Sequence, residues 1–178
     1  MLALAGSIGV RAATTAVSQN PSPYATANRE ALDASQTAAL PSTLNYLNSE
    51  VEPMVAVDPT DSSHTIGVRQ QDPWTDGGNN GEASAFSTDG GGTSSAMVTQ
   101  PFSACYSLSG YGPSLSYQRA SDPWVSIGPG KPASVSSCVP TAADCSTAYS
   151  VSLSFNETDA KNSVAAATSA TPTRCGTG

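Results

Sequence analysis

The sequence predicts an all-β protein built on a repeated unit of short strands, and three observations carry that prediction. First, Glu52-Pro53-Met54-Val55-Ala56-Val57-Asp58-Pro59 returns as Asp122-Pro123-Trp124-Val125-Ser126-Ile127-Gly128-Pro129. In both copies an acid and a proline open a run with Val or Ile at every second position, and a second proline closes it. That is a strand with one buried face, bounded by residues that cannot continue a ladder. Second, the stretch from Ala148 to Phe155 alternates Tyr149, Val151, Leu153 and Phe155 against serines, the two-residue period of a pleated strand. Third, Ser87-Thr88-Asp89-Gly90-Gly91-Gly92-Thr93 has hairpin-turn chemistry. Its carboxylate can accept backbone N–H groups, its glycines tolerate positive φ, and hydroxyls flank both.

Taken in chain order, Met1 to Val10 is a short apolar run followed by Arg11-Ala12-Ala13. Residues 1–13 are therefore expected to be the remnant of a signal peptide whose basic start lies upstream. Residues 14–48 form a flexible leader: Pro21 and Pro23 mark a loop, and Asn28 is placed to cap a short helix reaching Leu40, ahead of Pro41. Residues 49–100 hold the first repeat unit, with strands expected near 52–57, 64–68 and 82–86, the last entering the Asp89 turn. Residues 101–170 hold the second unit. Residues 171–178 have no strand character and are expected to be a disordered tail.

These segments resemble the repeats of the sialidase-like, or bacterial neuraminidase repeat, superfamily. The likeness rests on the Glu52-Pro53-x-Val55-Ala56-Val57-x-Pro59 opening, on Gln70-Gln71-Asp72, and on the Ser87-x-Asp89-x-Gly91-x-Thr93 turn known in that family as an Asp-box. It also rests on Pro101-Phe102-Ser103-x-Cys105 and on Arg119-Ala120-Ser121-Asp122-Pro123-Trp124-Val125, and it extends over roughly 100 residues. Ser94 stands where the family's box ends in Trp, and Ala167-Thr168-Ser169-Ala170 shows no second box aspartate. The resemblance implies a β-propeller. A blade takes about 40 to 50 residues and a ring at least about four blades. The expected fold is thus a partial propeller of about two four-stranded antiparallel blades behind a flexible leader. Open blades leave unpaired edges, so the chain is read as the N-terminal part of a longer propeller, not active alone. Ring closure by oligomerisation is the alternative.

Composition narrows the partners. Charged residues make up 12% of the chain and the net charge is −7, a surface that repels nucleic acid and anionic lipid. No run approaches the ~20 apolar residues of a membrane span. The expected location is secreted, extracellular or periplasmic, with a glycan or glycoconjugate as partner, together with the missing remainder of the propeller. Four cysteines, Cys105, Cys138, Cys145 and Cys175, allow three pairings, of which Cys138–Cys145, closing a small inserted loop, is preferred. Without a Cys-x-x-Cys and with His64 as the one histidine, neither a metal site nor a cofactor is expected. A Ser-His-Asp site is also disfavoured, since no Gly-x-Ser-x-Gly elbow occurs.

What chemistry remains is implied by the resemblance. Enzymes of that family hold a sugar carboxylate with three arginines, whose guanidinium forks match it bidentately, and use a Tyr nucleophile with an Asp acid/base. Their first arginine precedes Ile-Pro at the opening of the first blade, where this chain has Val51-Glu52-Pro53. Asp76, in Trp74-Thr75-Asp76-Gly77-Gly78, falls within one residue of the acid/base position. Its other role is that of a turn residue. Arg69 and Arg119 are candidates for anionic sugar contacts or, equally in kind, ion-pair partners. Ser87, Asp89, Gly91 and Thr93 are assigned to the turn itself. Trp74 and Trp124, both following Asp-Pro, either pack between blades or stack on sugar. The functional expectation is an exo-sialidase-type glycoside hydrolase segment, and the alternative is a non-catalytic carbohydrate-binding or protein-interaction propeller.

Overall fold

The computed structural model describes residues 22–24, 44–95, 97–108, 110, 112, 114–129, 146–157 and 159–168. The signal-peptide expectation, the helix from Asn28 to Leu40, the Cys138–Cys145 pairing and the disordered tail all lie outside these residues.

Seven strands and one short helix follow in order: β1 (Glu50–Val57), β2 (Thr65–Pro73), β3 (Asn79–Ser87), β4 (Val98–Thr99), α1 (Ala104–Leu108), β5 (Arg119–Pro129), β6 (Ser146–Phe155) and β7 (Asn162–Thr168). All pairings are antiparallel, in the order β1-β2-β3-β5-β6-β7 with β4 on the side of β3. The chain is therefore all-β, in one open antiparallel sheet. A single residue pair, Asn79 with Ala120, joins β3 to β5. The sheet is thus two meanders, β1 to β4 and β5 to β7, and β5 folds back against β1, β2 and β3.

This differs from two separate four-stranded blades. The first meander's fourth strand is only two residues long, and the second has three strands among the described residues. The Pro101-Phe102-Ser103-x-Cys105 segment turns into α1 instead of opening a strand. Its place is set by Phe102, 2% exposed, which packs with Ala120 and Ala165 under the second meander.

The repeat is present in the backbone itself. β1 and β5, the opening strands of the meanders, each carry a register shift at the acid-proline pair, between Val51 and Met54 and between Ser121 and Trp124. Glu52 and Asp122 sit there at φ 52° and 51°, the left-handed region that costs a side-chain-bearing residue about 1 kcal/mol or more. Asp72, before Pro73, does the same at φ 59°. A bulge of this kind re-aims the following residues by one position, so alternation restarts after each proline.

The core lies between the meanders. Ile66 and Val68 of the first meet Val125 and Ile127 of the second, with Met54, Ala56, Phe86 and Ala148 around them. β6 alternates as its sequence requires, but the buried side is the serine side: Ser150, Ser152 and Ser154 are at most 5% exposed, while Tyr149 and Leu153 are 37% exposed. Small side chains on β6 and β7 let the large residues of the first meander approach closely, and Ser152 and Ser154 satisfy their hydroxyls on the carbonyls of Ser121 and Phe102.

The opposite face of the first meander is covered in part by residues 22–24. Tyr24 is 2% exposed, donates its hydroxyl to the Glu82 carbonyl at 2.8 Å and lies over Gly81, where an added Cβ would collide with its ring.

Candidate functional site

At the edge where β2 turns into β3, Trp74 N–H bonds the Gly78 carbonyl and Gly77 N–H bonds Trp74, closing a turn that takes its positive φ at Gly77 and Gly78. Asp76 projects from this turn, one quarter exposed. The indole of Trp74 is fixed by its Nε1–H, which donates to Asn80 Oδ1 at 2.8 Å. Below it runs Arg119, the first residue of β5: its guanidinium carbon is 4.1 Å from the Trp74 ring centre and its Nη2 is 3.8 Å from Asp76 Oδ1. Two of the three residues singled out from the sequence are therefore neighbours.

Glu157 completes this cluster, and nothing in the sequence pattern marked it. The loop after β6 is clasped to the bend that precedes β5, since Gln118 N–H donates to Asn156 Oδ1 at 3.0 Å and Glu157 N–H to Gln118 Oε1 at 2.8 Å. Burial, and then the neighbouring Asp76 charge, push the Glu157 carboxyl above its ordinary range, with Arg119 opposing. The arrangement is a pair of carboxyl groups, one with raised proton affinity, beside a cation at the rim of the two meanders.

That cation is shielded from solvent. Arg119 is 1% exposed, held between the Trp74 face and the core, where a desolvated cation–π contact is worth about 2 kcal/mol.

Arg69 lies elsewhere, on the face of β2 shared with Gly81 and Tyr24. It is buried, pairs with Glu50 Oε1 at 2.9 Å, donates to Gln71 Oε1 at 3.0 Å and to Met97 Sδ at 2.7 Å. The structure does not bring it to the Asp76 cluster.

At the other end of the first meander, the Asp89 turn closes on itself. Asp89 Oδ1 accepts from Ser87 Oγ and Thr93 N, both at 2.8 Å, and Oδ2 accepts from Thr93 Oγ1 at 2.8 Å. Gly91 N–H donates to Ser87 Oγ at 2.9 Å, with Gly90 and Gly91 at φ 69° and 89°. The Thr93 N–H and the Ser87 hydroxyl hold the Asp89 carboxyl below its usual range. All of its polar capacity is spent within the turn.

A second cluster also escaped the pattern. Glu82 is 0% exposed between the meanders. Glu52 accepts from the amide of Gln70, which also reaches Ser121 Oγ across the interface at 3.3 Å. Burial first, and then the charges of Asp122 and Glu52, push the Glu82 carboxyl up to about 8. Its signal in the sequence was its place three residues after Asn79 on the strand paired with Gln70, which register alone reveals. Cys105 is free and buried, its thiol pushed up to about 12, an inert packing group.

Among the described residues, no group of three His, Cys, Asp or Glu side chains is placed to hold a metal ion, and no helix is long and apolar enough to cross a membrane. Comparison of the chain with protein-family profiles, with curated proteins and with solved structures gives no match.

Proposed function

We propose that this chain is a sialidase-like propeller segment from a secreted, glycan-associated protein, and that its own role is binding without hydrolysis. The observation that carries the non-catalytic half is the burial of both arginines: Arg119 is stacked under Trp74 and Arg69 is paired with Glu50. A site that recognises an anionic sugar presents its guanidinium fork to the incoming carboxylate. The repeat of bulged acid-proline strands and the closed Asp89 turn support the propeller half. The test is turnover of a fluorogenic sialoside alongside binding to immobilised glycans. Binding without release of the fluorophore is expected; release that disappears in Asp76→Asn overturns the reading.

Hydrolysis stays as a second reading because burial, and then the Asp76 charge, raise the proton affinity of the Glu157 carboxyl, the state a general acid needs.

A further inference from the structure

The two meanders repeat strand by strand, and one strand of the second is without the neighbour its counterpart has. Met54 and Trp124 each follow directly on an acid-proline pair. Register carries Met54 through Val68 to Ser84 across the first meander, and Trp124 through Val151 to Ala166 across the second. Ala83 and Ser84 of β3 are therefore the counterparts of Ala165 and Ala166 of β7. On β3 that pair is covered by β4, with Ser84 opposite Val98 and Ala83 opposite Thr99. Gln100 extends this ladder, its N–H donating to the Glu82 carbonyl at 2.8 Å. On β7, the last strand in the sheet, no strand among the described residues lies at that edge.

A groove of about 430 Å³ occupies the corresponding place, with Ser163, Val164, Ala165 and Ala166 along one wall. Consecutive residues of a strand alternate between its two faces, so a groove that touches all of these runs along the edge of β7. Phe102 and Leu115 stand on its other side, and Phe102 is already seated on Ala165. Alternate residues of a strand send their N–H and C=O groups to the same edge. Val164 and Ala166 thus present to the groove the backbone groups that Glu82 and Ser84 present to β4. Such an open edge is a template for an added strand, with the ladder supplying affinity and the neighbouring pocket selecting side chains.

We propose that this groove is a strand-addition site, in which an extended segment from outside these 178 residues pairs antiparallel with Val164 to Ala166 as β4 and Gln100 pair with Glu82 to Ser84. The side chain opposite Ala165 is apolar, where β4 has Thr99, because cross-strand neighbours share a face and the Ala165 face is that of Phe102. The chain's own residues 169–178 hold no Val, Ile, Leu, Met or aromatic side chain for that place, and Pro172 lacks a ladder donor. The inference rests on the propeller half of the proposed function, in which the added segment belongs to a further repeat. It is independent of glycan binding.

The experiment is fluorescence anisotropy of a labelled peptide with the sequence of residues 95–100 carrying Thr99→Val, titrated with the full 178-residue chain. Saturable binding at micromolar concentrations is expected, with slowed hydrogen exchange of the Val164 and Ala166 amides. The same peptide N-methylated at its Gln, which removes the donor equivalent to Gln100 N–H, should bind at least tenfold more weakly. Ala166→Pro, which deletes an N–H directed at the groove, should have a similar effect on the unmethylated peptide, and its fold is checked by circular dichroism. The methylated peptide needs no variant and decides the matter if Ala166→Pro does not fold. Absence of saturable binding overturns the proposal, and so does equal binding of the methylated peptide, which would be apolar adsorption only. Val164 and Ala166 amides already protected in the free chain also overturn it, since the groove would then be filled by the chain itself or, where sedimentation velocity shows a dimer, by a second copy. A protected Ser84 amide with no peptide binding would sink strand addition and leave the repeat standing.

Discussion

Glu82→Gln should abolish most of the alkaline sensitivity of this fold. Glu82 is fully buried opposite Gln70, and the Ser152 hydroxyl offsets only part of that burial. The carboxyl is kept neutral by burial and by Asp122 and Glu52, titrating at about 8 against an ordinary 4.5. The folded value lies above the unfolded one, so the stabilisation is complete below pH 4.5 and is lost as pH rises towards 8. Each pH step in that window costs up to ~1.4 kcal/mol, on the order of 5 kcal/mol across it. A domain of ordinary stability has only about 5–15 kcal/mol in total. Urea titrations from pH 4.5 to 9 are the assay. The parent should lose stability steadily, while the Gln variant, neutral at every pH, should match the parent to within ~1 kcal/mol at pH 4.5 and exceed it by several at pH 9. Parallel profiles for the two proteins would refute the reasoning.

Four further outcomes are expected. Gly81→Ala should eject Tyr24, whose ring occupies the space of the new methyl, costing about 2–4 kcal/mol in lost burial and a lost hydrogen bond; intrinsic Tyr fluorescence and a denaturant melt report it. Ile127→Ala should cost about 2–5 kcal/mol, whereas Val57→Ala, at the equivalent but exposed position, should stay within about 0.5 kcal/mol. Asp89→Ala should lower the melting temperature by opening the turn held by Thr93 and Ser87. It should also weaken the acid limb, because a depressed carboxyl contributes stability that is present above its unfolded value of 3.8 and lost as pH falls through the folded one. Arg119→Lys should destabilise the fold and leave glycan binding intact, since the guanidinium serves Trp74 rather than a ligand.

The repeat, strands β1, β2, β3, β5 and β6, and the turn were legible because each rests on local chemistry. Acid-proline pairs dictate where a ladder breaks, period-two alternation dictates a strand, and Asp89 with its glycines dictates the turn. The side that each strand buries was not legible. On β6 the apolar residues face outward, because what decides burial is the neighbouring sheet, and only small serines leave room for Ile66 and Val68. The continuous sheet was hidden for a similar reason: it hangs on one pair, Asn79 with Ala120, that no pattern encodes. Of the candidate site, Asp76 and Arg119 were named from the sequence, and their side chains stand 3.8 Å apart. Glu157 and Glu82 were missed because their character comes from neighbours distant in sequence, Asp76 and Arg119 for the one, Asp122 and Glu52 for the other.

The account stands on the large-on-small packing of two equivalent meanders. Methyl-labelled nuclear Overhauser spectra of the chain measure it most directly. Cross-peaks should link Ile66 and Val68 to Val125 and Ile127, with none from Val55 or Val57 to those residues. Cross-peaks from Val55 and Val57 to Val125 and Ile127 would mean that the meanders meet through like faces, and the account would fall.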